Sequence, residues 1–169
     1  AFTNGSGQFT AGNFINFFTD ENTIGTLCYS LVVAATVTVC CTLVAYPVAY
    51  NLARSDIKKK NVLLVLFIAH MWINFTLRVV ALKEVLTMME GNLAYHPFLN
   101  TVIGMTYDFL PFMILPLYTT LEKLDKSYLE AAADLGASPV ITFIKVTLPL
   151  SMPGLISGVT MVFLPSMTN

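Results

Sequence analysis

Charged side chains are scarce in this chain of 169 residues, of which Asp, Glu, Lys and Arg together make up only 11%. Soluble domains usually carry about 25% charged residues. Because 56% of the residues are hydrophobic, the chain cannot cover itself with polar surface, and we expect lipid to be its solvent. The net charge of −1 provides no general basic field, so we expect no nucleic-acid partner.

The chain also lacks the patterns of common metal and nucleotide sites. Its three cysteines, Cys28, Cys40 and Cys41, lie in one apolar run, and their spacing matches no zinc pattern. We therefore expect no metal site and interpret the cysteines as small packing residues. No phosphate-binding loop of the G-x-x-x-x-G-K-S/T type occurs, so we expect this chain itself to bind no nucleotide cofactor.

Long apolar runs dominate what is present. Four segments approach the roughly 20 residues that a membrane-spanning helix requires, namely residues 24–53, 62–82, 99–121 and 150–168. Prolines within three of these segments predict kinked helices around a cavity, because neighbouring protein or water can satisfy the freed carbonyl groups. The sequence therefore predicts an all-α, polytopic transmembrane bundle that forms a single domain over residues 1–169.

Basic residues set the expected orientation of these spans. The densest basic cluster lies at residues 54–60, whereas residues 1–23 contain no Lys or Arg. Since basic loops tend to stay in the cytoplasm, we expect this cluster inside and the N-terminal tail outside. Because each span crosses to the opposite side of the membrane, we then expect the loop at 83–98 outside and residues 122–149 inside. No signal peptide is visible, and we interpret the chain as a piece truncated at both ends.

The predicted cytoplasmic loop carries the signals of two short helices joined by a tight turn. Ser127 and Glu130 fit a capping box at the start of the first helix, and Gly136 supplies the left-handed residue that commonly ends a helix. The serine and proline at 138–139 predict the start of a second helix. We expect that second helix to end before Pro149.

Two interpretations of this loop follow from its residues alone. One is an ordinary structural loop with a common helix cap. The other is a DNA-binding helix-turn-helix, because A-A-x-x-L-G-x-S resembles the first helix and turn of that motif. Against the second interpretation, the would-be recognition helix carries the single charge of Lys145 and runs almost directly into a span.

A third interpretation is a family resemblance. The spacing Glu-Ala-Ala, three residues, Gly, nine residues and Ile-x-Leu-Pro is the signature (the EAA motif) of the membrane subunits of bacterial binding-protein-dependent ABC importers, and this loop resembles it closely. Valine replaces the usual isoleucine, which is a mild departure. The matching positions, expected to couple the chain to an ATPase, are Glu130, Ala131, Ala132, Gly136, Val146, Leu148 and Pro149.

The resemblance implies a fold, a role and partners. The fold would be that of the MetI-like ABC importer permeases, in which four of an expected six spans are visible here. Residues 122–149 would dock on separate ATP-binding cassette ATPase subunits that bind ATP and Mg²⁺, so this chain would be a permease and no enzyme. A second permease subunit and an extracytoplasmic polyamine-binding protein would complete the importer in the bacterial cell membrane.

The substrate is suggested by a likeness that covers residues 13–165. Stretches such as MWINFTLRVVALKEVL resemble the spermidine/putrescine importer permeases within this family. Polyamines are flexible polycations, so their path should offer carboxylates and aromatic faces, and ionisable residues inside spans are candidate sites. Asp108 is the best candidate for an ammonium contact, unless it pairs with Arg78. The substrate-path candidates are Trp72, Asn74, Arg78, Tyr107 and Asp108.

Other functions remain compatible with parts of the sequence. An ABC permease for another solute (an amino acid, iron or an oxyanion) is the nearest alternative, since Arg78 would suit an anion and Asp108 a cation. A membrane enzyme would need a catalytic cluster, and no motif links these two residues to His70, which we interpret as a packed, hydrogen-bonded residue. A non-transporting scaffold would have no need of the Glu-Ala-Ala loop geometry.

Overall fold

The computed structural model describes residues 19–55, 60–91 and 95–168, and the regular secondary structure of these residues is helical. A π-helical turn at Phe143–Thr147 joins the last two helices. The predicted all-α class is therefore confirmed, whereas the assignment of residues 1–169 to one domain stays a prediction. The helices are α1 (Glu21–Arg54), α2 (Lys60–Trp72), α3 (Phe75–Glu90), α4 (Pro97–Glu122), α5 (Ser127–Asp134), α6 (Pro139–Thr142) and α7 (Leu148–Thr168).

Helices α1, α4 and α7 pack on one another and form the core, whereas α2 and α3 touch the bundle mainly along α4. Val37 and Cys41 of α1, Met113 and Leu117 of α4 and Val162 of α7 are completely buried. The outward faces of the same helices carry many exposed valines, leucines and isoleucines. Exposed apolar surface of this extent is expected of helices that contact lipid or further spans.

Small residues set the close approach of α7 to α4. Gly154 and Gly158, one turn apart on α7, are both buried. A Cβ atom added to Gly154 would lie 2.7 Å from the carbonyl oxygen of Pro116, and one added to Gly158 would lie 2.5 Å from the sulfur of Met113. Small residues at this spacing let the backbones of membrane helices approach closely, so that packing can replace the hydrophobic driving force that lipid does not supply.

The predicted first and third spans agree with the structure, since α1 and α4 are continuous and apolar over 24–53 and 99–121. The prediction of the second span as a single helix is wrong, because the chain bends by 98° between α2 and α3. The physical reason is a new helix start at Asn74, whose side chain accepts a hydrogen bond from the Thr76 amide at 2.9 Å. Helix α3 then continues to Glu90, into the stretch predicted to be a loop.

The described residues contain three helices long and apolar enough to cross a membrane, or up to four if the bent pair is one span. The last of the three runs without interruption from Pro139 to Thr168. The prediction that the second hairpin helix ends before Pro149 is therefore wrong. Pro149 has no N–H group to donate to the helix. The π turn lies just before it, and there the Leu148 amide donates to the Phe143 carbonyl five residues earlier.

Candidate functional site

The hairpin at 122–149 begins with a different cap from the predicted one. Helix α5 already includes Ser127, and Lys126 stands at its N-cap. The Ser127 amide donates to the Asp125 carboxylate at 3.0 Å, so the capping-box prediction is wrong and the capping side chain lies two residues earlier. This hydrogen bond lowers the pKa of Asp125 below its ordinary value, because it stabilises the ionised carboxylate.

The turn of the hairpin is built as predicted. Gly136 has a φ of 76°, in the left-handed region that favours glycine. The Ala137 amide donates to the Ala132 carbonyl at 3.0 Å and the Gly136 amide to the Ala133 carbonyl at 2.8 Å. These two bonds form a Schellman motif, which satisfies the last carbonyl groups of α5 and fixes the direction in which the chain leaves it.

The second half of the hairpin starts at the predicted serine and is fixed to the core. The Ser138 side chain accepts from the Ile141 amide at 3.4 Å. The Phe143 ring, at the start of the π turn, packs edge to face with Tyr46 and Tyr50 at centroid distances of 5.4 and 5.9 Å. This half of the hairpin therefore contacts α1 directly and continues into α7.

The tip of the hairpin exposes apolar side chains. Glu130 and Ala131 are exposed and Ala132 is buried. Leu135, beside the turn glycine, is 88% exposed. The other exposed apolar side chains of the hairpin are Tyr128, Val140, Ile141 and Ile144. Such a patch on a polar-edged loop is typical of a protein-docking surface.

The remaining coupling candidates lie where the hairpin meets the span. Val146 is half-buried within the π turn, and Leu148 and Pro149 open α7. Arg54, at the end of α1, donates to the Leu124 carbonyl at 3.2 Å, just before the hairpin helices. The hairpin and the basic end of α1 therefore lie on the same side of the bundle.

A buried ion cluster occupies the junction of α2, α3 and α4. Arg78 Nη1 lies 3.0 Å from the Asp108 carboxylate, and the two side chains are only 10% and 6% exposed. The same nitrogen donates to His70 Nε2 at 3.1 Å. The guanidinium also lies 5.8 Å from the centroid of the Phe75 ring. His70 is thus a hydrogen-bonded residue, as the sequence suggested, and it supplies an acceptor to the arginine.

The structure brings some of the substrate-path candidates together and separates others. Arg78 and Asp108 form an ion pair, which the sequence offered as the alternative to a substrate contact, and the Tyr107 ring packs edge-on against His70 at 4.9 Å. Trp72 is 87% exposed at the bend. Asn74 caps α3, so its local role is explained without a substrate.

Two cavities flank this cluster. The larger, of about 490 Å³, lies between α3 and α4, and the ionisable residues among its described lining are Asp108 and Lys83. The smaller, of about 230 Å³, lies between α2 and α4 and is lined in part by His70 and Tyr107. The apolar lining of the larger cavity comes from Phe75, Val79, Leu82, Leu86, Pro97, Gly104 and Met105.

Sequence reasoning anticipated a hydrogen-bonded His70 but missed its partner Arg78, because the bend between α2 and α3 decides that contact. It also missed the contact of Phe75 with Arg78, although the spacing of three residues on one helix was a usable signal. The π turn was missed too, although Pro149 within a stretch that continues into an apolar span was a usable signal. Within the ranges the structure describes, no three His, Cys, Asp or Glu side chains are grouped to hold a metal ion.

Comparison with known proteins places these features in a family. A family model described as "Binding-protein-dependent transport system inner membrane component" matches residues 45–169. The chain belongs to this family. With its long apolar helices, it is accordingly a multi-pass inner-membrane component, in agreement with the expected fold class.

Several curated relatives of this family are similar over most of the chain. The spermidine/putrescine transport system permease protein PotB of Escherichia coli (strain K12) is 38% identical over 94% of this chain and 62% of its own length. The protein of that name from Haemophilus influenzae is 39% identical over 82% and 53%, respectively. A PotB homolog from Mycoplasma pneumoniae is 37% identical over 74% and 47%. The chain thus spans about three fifths of the first relative's length.

Proposed function

We propose that this chain belongs to the permease subunit of an ATP-driven importer that carries polyamines, spermidine and putrescine, into the cell. The observation that carries the proposal is the identity of 38% over 94% of the chain to a relative named as a spermidine/putrescine permease. The family match supports the transport role independently of the substrate.

The hairpin at 122–149 couples the chain to separate ATPase subunits. Its exposed Leu135, Val140 and Ile144 supply an apolar surface for docking, and the small, exposed Ala131 allows a partner to approach closely. ATP and Mg²⁺ bind to these partners and not to this chain. A second permease subunit and an extracytoplasmic polyamine-binding protein complete the importer.

Movement of the hairpin reaches the spans through two rigid connections. One is the continuous helix from Pro139 to Thr168, and the other is the packing of Phe143 on Tyr46 and Tyr50. Closure of the ATPase pair then tilts α7 and α1 together, which gives alternating access to the two sides of the membrane.

The hairpin faces the cytoplasm. The Arg54 guanidinium donates to the Leu124 carbonyl, which keeps the basic end of α1 and the hairpin on one side of the bundle. Because basic loops are retained in the cytoplasm, the hairpin lies inside and the N-terminal tail of the chain outside. Cysteine labelling from outside at Ser138→Cys and at Met88→Cys, in a chain without native cysteines, tests this orientation; labelling of the hairpin site in intact cells would contradict it.

A different solute is the second candidate, and one observation favours it. One cation, Lys83, and one carboxylate, Asp108, line the larger cavity, and Arg78 is paired with that carboxylate at 3.0 Å. This balance suits an anion better than a polycation, and the uptake assay must therefore include anionic competitors.

The test is uptake of labelled spermidine and putrescine by cells that lack their own importer and carry the full-length gene with its neighbouring subunits. Gly136→Pro should abolish uptake, because proline cannot adopt a φ of 76°. Gly91→Pro is the matched control, since Gly91 has a φ of 74° but lies outside the hairpin. Robust uptake of another solute without polyamine uptake would overturn the substrate, and equal uptake by wild type and Gly136→Pro would overturn the coupling role.

A further inference from the structure

The guanidinium of Arg78 occupies a site built for an organic cation. It contacts a carboxylate at 3.0 Å (Asp108), an imidazole nitrogen at 3.1 Å (His70) and the Phe75 ring at 5.8 Å. A carboxylate, a hydrogen-bond acceptor and an aromatic ring are the groups that also bind a primary ammonium group. The chain therefore fills this site with one of its own side chains.

Arg78 and the carboxylate that it contacts belong to different helices, whereas Phe75 lies on the same helix as Arg78. Asp108 is part of α4, which packs in the core, whereas Arg78 is in the first turn of α3, after the bend. Helix α3 touches the bundle over a small area along α4. A modest displacement of α3 therefore withdraws the guanidinium without disturbing the core that holds the carboxylate.

We propose that Asp108 is a transit site for an ammonium group of the substrate, and that Arg78 is the internal cation that fills this site when substrate is absent. This inference rests on the proposed polyamine function and deepens it. Asp108 thus makes both contacts that the sequence offered as alternatives. It pairs with Arg78 when substrate is absent and binds an ammonium group while substrate passes.

The larger cavity fits this exchange. Asp108 is the acidic residue of its described lining, and the apolar walls supplied by α3 and α4 suit the methylene segments between the ammonium groups of a polyamine. Lys83 lines the same cavity, and its positive charge opposes the binding of a polycation. The site is consequently weak, as a transport path requires, because a substrate that is bound tightly along the path leaves it slowly.

Competition between Arg78 and the substrate for Asp108 has a quantitative consequence. The apparent dissociation constant of a ligand increases in inverse proportion to the fraction of protein in which its site is free. If Arg78 leaves Asp108 free about one tenth of the time, its removal strengthens ammonium binding about tenfold. An ion pair with a purely structural role would give no more than the gain from losing one nearby positive charge, about two- to fivefold, which Lys83→Gln measures.

The experiment is equilibrium binding of labelled spermidine to the full transporter complex in lipid nanodiscs, without the external binding protein and at fixed ionic strength. Arg78→Gln is expected to bind about tenfold more tightly than wild type. Asp108→Asn is expected to lose at least about tenfold in affinity, the loss that follows when a charged partner is removed. Arg78→Lys should give a smaller gain than Arg78→Gln, because lysine retains the charge but not the planar guanidinium.

Charge-balanced variants serve as controls for effects on folding. Arg78→Gln leaves a buried carboxylate without its partner, which can destabilise the protein. If that variant fails to assemble, Arg78→Lys and the neutral pair Arg78→Gln with Asp108→Asn decide the question. A gain in Arg78→Lys together with loss of binding in the neutral pair supports the exchange. Unchanged or weaker binding in assembled Arg78 variants, or wild-type binding in the neutral pair, overturns it.

The inference and the proposed function fail in different ways. If wild type imports polyamines but the Arg78 variants show no gain in affinity, the exchange is wrong and the transport function stands. If wild type neither imports nor binds polyamines while importing another solute, both are wrong.

Discussion

The hydroxyl groups of Tyr46 and Ser151 lie 2.7 Å apart and join α1 to the first turn of α7 across 105 residues of sequence. Both side chains are buried. Ser151 also donates to the Leu148 carbonyl at 2.9 Å. The span that leaves the hairpin is therefore hydrogen-bonded to α1 at the level where the hairpin joins the membrane bundle.

Removal of this bond should loosen the connection between α1 and α7. We expect Tyr46→Phe to destabilise the assembled protein by about 0.5–1.5 kcal/mol, at the low end because Ser151 keeps its bond to the Leu148 carbonyl. Thermal unfolding of the reconstituted complex measures the effect. Tyr50→Phe is the matched control, since Tyr50 also packs on Phe143, and an equal loss in both variants would contradict the assigned role of the bond.

The contact of α7 with α4 should not tolerate a methyl group at Gly154. The added Cβ would lie 2.5 Å from Thr120 Oγ1 and 2.7 Å from the Pro116 carbonyl oxygen, so Gly154→Ala should cost about 1–3 kcal/mol through overpacking. Gly25→Ala is the control of opposite sign. A Cβ atom added to Gly25 would project into open space, and alanine is the better helix former by up to about 1 kcal/mol.

Denaturant unfolding of the complex in detergent compares these two glycines. Gly154→Ala should shift the unfolding midpoint down, and Gly25→Ala should leave it unchanged or raise it. A Gly154→Ala variant as stable as wild type would show that α7 and α4 are further apart than these short distances imply.

Leu135 should contribute to docking of the ATPase subunits. It is 88% exposed at the hairpin turn, and its replacement by serine removes apolar surface that a partner groove would bury. We expect Leu135→Ser to reduce copurification of the ATPase subunits and polyamine uptake in parallel. Met88→Ser is the control, because Met88 is 86% exposed but lies on α3; a similar loss in both variants would argue against a hairpin-specific contact.

Lys83 should set how weakly the larger cavity holds a polycation. Its removal in Lys83→Gln is expected to lower the dissociation constant for spermidine by about two- to fivefold, the size of a surface charge interaction of up to about 1 kcal/mol. Lys123→Gln, a charge change at the end of α4 and outside this cavity, should have no such effect. Tighter binding of an anionic solute by wild type than by Lys83→Gln would instead favour the second candidate function.

The elements that depend on local sequence could be predicted. The lengths of the apolar runs define α1 and α4, and a single glycine at Gly136 defines the turn of the hairpin, because its φ of 76° is strained for most other residues. The second span could not be predicted as two helices from hydropathy alone, since both halves are apolar and the cap at Asn74 decides the bend.

The ion cluster could be predicted only in part. Arg78 and Asp108 stood out because charges are rare in apolar segments, but their partner His70 comes from α2, whose angle to α3 is a tertiary property. Hydropathy and capping signals extend over one or two turns, whereas this cluster joins three helices.

The π turn at Phe143–Thr147 also fixes a rotational phase. Successive residues of an α-helix are rotated by about 100° about the helix axis. The extra residue within this wide turn therefore sets how α7 is rotated about that axis relative to α6. In the observed phase, the Gly154 and Gly158 face meets α4 while the side chains of Val140 and Ile144 stay exposed. Deletion of Lys145 from this turn would keep the named side chains of both faces but rotate the two faces relative to each other by about 100°. The hairpin could then still dock, but its movement would act on the wrong side of the span.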